Sequence, residues 1–325
     1  MNLRVAVLAG LAVAAAGPGF AAPPLARPEV EIDYRAGKVV RRDAAGKVLW
    51  SKELSGDFSM HREPHLLADA KRVYVSHGGG VSALDRKTGK LLWHAAGQDD
   101  RLLLSGDLLL STDCTSGRYV EAGRWLVARQ AATGTRVFRV ALPIKDFDPN
   151  PIREVAGLFL VQTHEDPRGK GAALLVDRTG KVRHRFDRDV LDGRMQGKDR
   201  VFLTNRDVVR VAADGKVVWA TAFPKAAWPA GGGLLEGLGG DLVAYLYGRI
   251  SDSGVQVLRL DPKKGKALWS AKCAPLGVGH SKYRHRASVA LEGGRLRVRS
   301  DGSAGSFTEV LDLRSGRRLE RKSDR

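Results

Sequence analysis

Three histidines, His61, His65 and His77, lie close together in the sequence and invite a metal ion. Their spacing matches no usual zinc pattern. His61 and His65 sit in a predicted loop and His77 at the end of a predicted strand, so solvated loop histidines are the expectation. Asp146, Asp148 and Asn150 in KDFDPNPI begin like a calcium loop. The glycine and the distal glutamate of such a loop are missing and Pro149 interrupts it, which leaves an Asx-rich turn. HEDPRGKG at 164–171 has glycines and charges but no strand-to-helix context, so it does not read as a phosphate loop. The two cysteines, Cys114 and Cys273, are far apart in the chain and form no CxxC pattern. A nucleophile elbow is not visible.

Charge is the remaining chemical signal. Lysine and arginine number 54 against 36 acidic residues, a formal net charge of +18. The excess is spread along the chain, so it belongs to a folded surface and implies an anionic partner. Positions 1–22 read as a secretory signal peptide: Arg4 precedes an apolar run, and small residues lead to cleavage after Ala21 or Ala22. The run is short of the ~20 residues that span a bilayer. Cysteine does not follow it, so no lipid anchor is expected there. The mature chain, 23–325, is expected to be a single domain in the periplasm or outside the cell.

The elements that would position these residues repeat. ALDRKTGKLLW (83–93) returns as RLDPKKGKALW (259–269), and in shorter form as RRDAAGKVLW (41–50) and VAADGKVVW (211–219). Degenerate copies are ARQAATGTRVF, LVDRTGKVRHRF and LDLRSGRRLE. The turn glycines stand at 46, 89, 134, 180, 215, 265 and 316. Their mean spacing falls in the range of about 40–45 residues that marks one propeller blade. Strand-turn-strand units at that period indicate an all-β propeller. Seven four-stranded blades are expected, with six or eight as alternatives. Within a unit, Asp85 would accept amide hydrogen bonds of its own turn and Gly89 would take the left-handed position. Trp93 would lay its flat face against the neighbouring blade. Asp261, Gly265 and Trp269 hold the same places in the sixth unit, as do Trp50 and Trp219 in theirs. A cofactor needs one aromatic rather than a series at constant phase, so the motif is read as structural.

The motif A-x-D-x-x-T-G-K-x-x-W resembles the tryptophan-docking repeat of PQQ-type, quinoprotein-like propellers, over roughly residues 29–320. The resemblance implies the fold. For function it implies either a PQQ-dependent dehydrogenase or a cofactor-free binding propeller of the periplasm. The dehydrogenases hold their cofactor with adjacent cysteines, a tryptophan floor and a calcium site of Glu, Asn and Asp. Adjacent cysteines are absent here, so a cofactor-free scaffold is expected, with a PQQ-dependent oxidoreductase as the alternative. Propeller topology would gather Arg62, His65, Arg118, Arg124, Lys282, Tyr283, Arg284 and Arg286 on the face with the longer loops, where binding function usually sits. The expected partner is an envelope protein or an anionic glycan or lipid, and genomic nucleic acid is not expected. Cys114 and Cys273 would fall in nearly opposite blades, too far apart for a disulfide.

Overall fold

In Arg72–His77 and Gly80–Asp85, almost every residue is buried, whereas the next strand, Leu91–Ala96, alternates between exposed and half-buried positions. Continuous burial marks strands covered on both faces, and alternation marks a strand with one face in water. The same grading recurs along the chain. The computed structural model describes residues 29–33, 36–54, 66–77, 79–97, 99–114, 124–142, 152–162, 172–223, 229–248, 254–273, 286–302 and 305–324. They form seven antiparallel sheets whose strands lie side by side in chain order. The fold is a β-propeller with seven blades.

Two compact units are present, 1–153 with 179–181, and 154–178 with 182–325. In the first, sheet 1 holds β1 to β3 (Val30–Asp33, Lys38–Arg42, Val48–Glu53). Sheet 2 holds β4 to β7 (Leu66–Ala68, Arg72–His77, Gly80–Asp85, Leu91–Ala96). Sheet 3 holds β8 to β11 (Asp99–Ser105, Leu108–Cys114, Arg124–Gln130, Arg136–Leu142). Sheet 4 begins at the boundary with β12 to β15 (Arg153–Val155, Leu158–Gln162, Ala173–Val176, Val182–Phe186). The second unit continues with sheet 5, β16 to β19 (Val190–Gln196, Asp199–Thr204, Asp207–Val211, Val217–Ala222). Sheet 6 is β20 to β23 (Pro229–Glu236, Leu242–Gly248, Val255–Leu260, Ala267–Lys272), and sheet 7 is β24 to β27 (Arg286–Glu292, Arg295–Gly302, Gly305–Asp312, Arg318–Asp324). Six sheets have four strands, and sheet 1 has three among the described residues.

All seven turn glycines picked out by the repeat have positive φ, from +69° at Gly265 to +95° at Gly215. Each closes the hairpin between the last two strands of its sheet, and the strand register shifts by one residue just before it, as at Ala83/Leu84 and Arg259/Leu260. Within each unit, apolar clusters fill the spaces between consecutive sheets. Val243, Val257, Leu296 and Val298 pack between sheets 6 and 7, and Val39, Val73, Val75 and Leu84 between sheets 1 and 2.

Candidate functional site

The turn aspartates do the work expected of them. Asp85 Oδ1 accepts from the Thr88 amide at 2.7 Å and the Thr88 hydroxyl at 2.8 Å. Those bonds, the hydroxyl's first, hold its carboxyl below the usual range. Asp261 is lowered in the same direction by the amides of Lys263 and Lys264. The tryptophans go further than their own turn. Trp50 Nε1 donates to the Arg86 carbonyl at 2.9 Å, and Trp93 Nε1 to that of Ala131 at 3.1 Å. In the second unit Trp219 Nε1 donates to the Pro262 carbonyl at 3.2 Å and Trp269 Nε1 to that of Leu313 at 2.9 Å. Each acceptor opens the turn of the next sheet, and the glycine of that turn lies under the indole. A Cβ on Gly89, Gly134, Gly265 or Gly316 would come within 2.8 Å of Trp50, Trp93, Trp219 or Trp269 respectively. Phe138 takes the aromatic place above Gly180. His184 takes it in sheet 4 and meets the Gly215 carbonyl through Nδ1 at 3.0 Å. Glu320 holds that position in sheet 7.

A second docking group was not foreseen. Arg41, Arg210 and Arg259 each sit one strand inward, directly opposite the tryptophan of their own sheet. Arg210 Nη1 donates to the same Pro262 carbonyl at 2.6 Å, and its guanidinium pairs with Asp199 at 2.7 Å. Arg259 donates to Leu313 at 3.0 Å and pairs with Asp241. Arg41 donates to Arg86 at 2.9 Å and pairs with Glu29 at 2.6 Å. Glu29 also pairs with Arg86, and the two guanidiniums, Arg86 foremost, hold its carboxyl below the usual range. The sequence signal was available: an arginine precedes the turn aspartate by two positions in RLDPKKGKALW and RRDAAGKVLW.

Residues 13–143 match the family model described as outer membrane protein assembly factor BamB. Over that stretch the chain is similar to PQQ-type β-propeller repeats. No curated protein matches the sequence significantly. Among solved structures, a europium-containing methanol dehydrogenase is similar at 13% identity over 88% of this chain and 75% of its own, with a TM-score of 0.45. The quinohemoprotein alcohol dehydrogenase of Comamonas testosteroni is similar at 14% identity and a TM-score of 0.44, over 88% of this chain but only 64% of that enzyme. The Dos1 propeller is similar at 16% identity over 80% of this chain and 73% of its own, with a TM-score of 0.46. None of these likenesses assigns a role to a residue here.

The PQQ-type repeat implies a quinone and a calcium ion in its dehydrogenases, and the four motif indoles are placed for blade docking rather than for that group. All four motif indoles lie against a glycine turn with their N–H engaged. The described residues hold no group of three or more His, Cys, Asp or Glu suited to a metal. Arg62, His65, Arg118, Lys282, Tyr283 and Arg284 lie outside the described residues, as do His61, Asp146, Asp148, Asn150 and 164–171. Arg124 opens β10 opposite Cys114, and Arg286 opens β24 opposite Asp301. The side chains of those two arginines are likewise outside.

His77 departs from the expectation of a solvated loop residue, because it is 5% exposed and engaged at both ring nitrogens. The Gly79 amide donates to its Nδ1 at 3.2 Å, which fixes the proton on Nε2. Nε2 then donates to Ser82 Oγ at 2.9 Å, and Ser82 Oγ is hydrogen-bonded to His94 Nδ1 at 3.1 Å. Cys273 is buried and free. Burial first, and then the charge and hydrogen bond of Glu309, push its thiol up to about 12. Because the folded value lies above the unfolded one (~8.5), this contribution to stability is whole below ~8.5 and is lost as pH rises toward 12. Native protein at pH 8 is expected to resist iodoacetamide at Cys273 and to be labelled there once denatured, read by peptide mass spectrometry. Rapid labelling of the native protein would contradict the buried Cys273–Glu309 pair.

Proposed function

We propose that the chain is an exported, non-catalytic scaffold of the cell envelope, which binds a protein or an anionic glycan or lipid through the loops on one face of the propeller. The observation that carries this reading is the match of residues 13–143 to an outer-membrane-protein assembly factor. It agrees with the way the motif residues are used: aspartates cap turns, glycines seat indoles, and tryptophans and arginines join one blade to the next. That leaves the connecting loops as the parts free to specify a partner, with Lys282, Tyr283, Arg284 and Arg286 in the richest of them. The periplasm is the compartment in which an assembly factor of outer-membrane proteins would act, and it agrees with the leader-like segment 1–22. Among the described residues no helix is long and apolar enough to cross a membrane.

The alternative, a PQQ-dependent oxidoreductase, keeps its place through the repeat that this chain shares with such enzymes, and is settled by assay. The purified chain is expected to show no dye-linked oxidation of alcohols or sugars when supplied with PQQ and calcium. In the same preparation, immobilised protein should capture components of the outer-membrane-protein assembly machinery from an envelope extract. Replacing Lys282, Arg284 and Arg286 with serine should reduce that capture without lowering Tm. Turnover with PQQ would replace the scaffold reading by the enzymatic one.

A further inference from the structure

In the second unit, three hairpin turns face solvent beside one another: 212–216 in sheet 5, 261–266 in sheet 6 and 312–317 in sheet 7. Trp219 on the Pro262 carbonyl and Trp269 on the Leu313 carbonyl tie each turn to the outer strand of the preceding sheet, so the three form one arc. Lys216, Lys263, Lys264, Lys266, Arg314 and Arg317 are all exposed along it. The carboxylates of the arc each accept a backbone amide of their own turn. Asp261 accepts from the Lys263 amide at 2.7 Å, Asp312 from the Ser315 amide at 2.8 Å, and Asp214 from the Lys216 amide at 3.0 Å. Lys216 Nζ lies 3.6 Å from Asp214 Oδ2, and the six cations of the three turns outnumber their three carboxylates, so the outer potential is positive. Next to them on the outermost strands stand aliphatic side chains that the fold leaves uncovered: Val217 at 52% exposure, Val218 at 50%, Leu268 at 47% and Leu319 at 38%.

We propose that this arc docks on an anionic lipid surface, with the cations over the headgroups and Val217, Val218 and Leu268 inserted shallowly among the upper acyl segments. Large apolar side chains repeated in the open mark a contact surface rather than scattered exposure. Their pairing with lysine is the combination that lies in a membrane interface, where apolar burial and attraction to anionic lipid add. A soluble polyanion would use the cations and gain nothing from the aliphatics. The arc stands on different residues from the loop face of the scaffold reading, and each can fail without the other.

Cosedimentation with vesicles of phosphatidylglycerol and phosphatidylcholine, and with vesicles of phosphatidylcholine alone, tests the arc. Binding is expected only to the anionic vesicles, and it should weaken as salt rises. Lys263→Ser with Lys264→Ser should reduce partitioning roughly thirtyfold, at about fivefold for each lysine near such a surface. Lys272→Ser with Lys322→Ser removes the same charge from the opposite ends of the outer strands and should change partitioning less than about threefold, near the limit of the assay for distant charges. Val217→Ser with Val218→Ser should weaken binding at unchanged net charge, with Tm recorded for every variant. Equal losses from the two lysine pairs would make the charge global and overturn the site. So would equal binding to neutral vesicles. Full displacement by dextran sulfate with no effect of the valine pair would assign the arc to a soluble polyanion or an acidic protein instead.

Discussion

Gly265→Ala is expected to lower stability by about 3 kcal/mol, the sum of backbone strain and overpacking, read as a fall in denaturant midpoint at unchanged slope. At φ +69° an L-residue is strained, by ~1–2 kcal/mol. The new Cβ would also lie 2.5 Å from Trp219 Cδ2 and 2.7 Å from Cε3, atoms of a flat ring pinned at its other edge by the bond to Pro262. Overpacking of that kind costs ~1–3 kcal/mol. Gly197, in the hairpin between β16 and β17, separates the two contributions: its φ is +61° but nothing lies within 4 Å of a Cβ there. Gly197→Ala should therefore cost only about 1 kcal/mol, the strain alone. In a Trp219→Ala background the cost of Gly265→Ala should drop to the same level. If Gly265→Ala and Gly197→Ala were equal, the indole would not be seated on the turn.

The propeller was legible because its repeat is written in turn chemistry. A left-handed glycine and a capping aspartate are local needs; the glycine recurs once per blade and the aspartate in every turn but the third, where Gln130 stands instead, whatever the strands around them contain. The partner of the tryptophan was legible only in part. The motif shows that an indole recurs in phase, but its contact is with the glycine of the next repeat, and no local pattern records that. The docking arginines were missed for a related reason. A lone arginine on a strand reads as surface charge until a carbonyl of the next sheet and a carboxylate of its own sheet are seen to converge on it. The basic count was accordingly overread, since Arg41, Arg86, Arg210 and Arg259 serve the joints between blades. PAGGGLLE is another segment that strand propensity argues against, yet it is β20. Gly231 pairs with Tyr247 and Gly233 with Tyr245 across the sheet, and each tyrosine ring lies over the glycine it faces. Aromatic cover of this sort restores the contact a glycine strand lacks. The candidate loop face rests on residues outside those described, so the sequence remains the source for it.

Arg259 and Trp269 give the second large effect, because both donate to the Leu313 carbonyl, at 3.0 and 2.9 Å. Trp269→Phe keeps a ring over Gly316 and removes only the N–H. Arg259 still satisfies the carbonyl, so the loss should be about 1 kcal/mol. Trp269→Ala uncovers Gly316 as well and should cost about 3 kcal/mol, the lower end for truncating a large aromatic because the indole is only half-buried. Arg259→Ala strands the Asp241 carboxylate, which has lost its guanidinium, and should cost about 3 kcal/mol. The informative variant is Arg259→Ala combined with Trp269→Phe. Each single change leaves one donor on the carbonyl and the pair leaves none, so the combined loss should exceed the sum of the singles by about 1–2 kcal/mol, the cost of a buried acceptor without a partner. Chemical denaturation of the four proteins at one pH and salt concentration reads the coupling directly. Strict additivity would mean that water replaces the missing donors at this joint, and that the blades are held by ring burial alone.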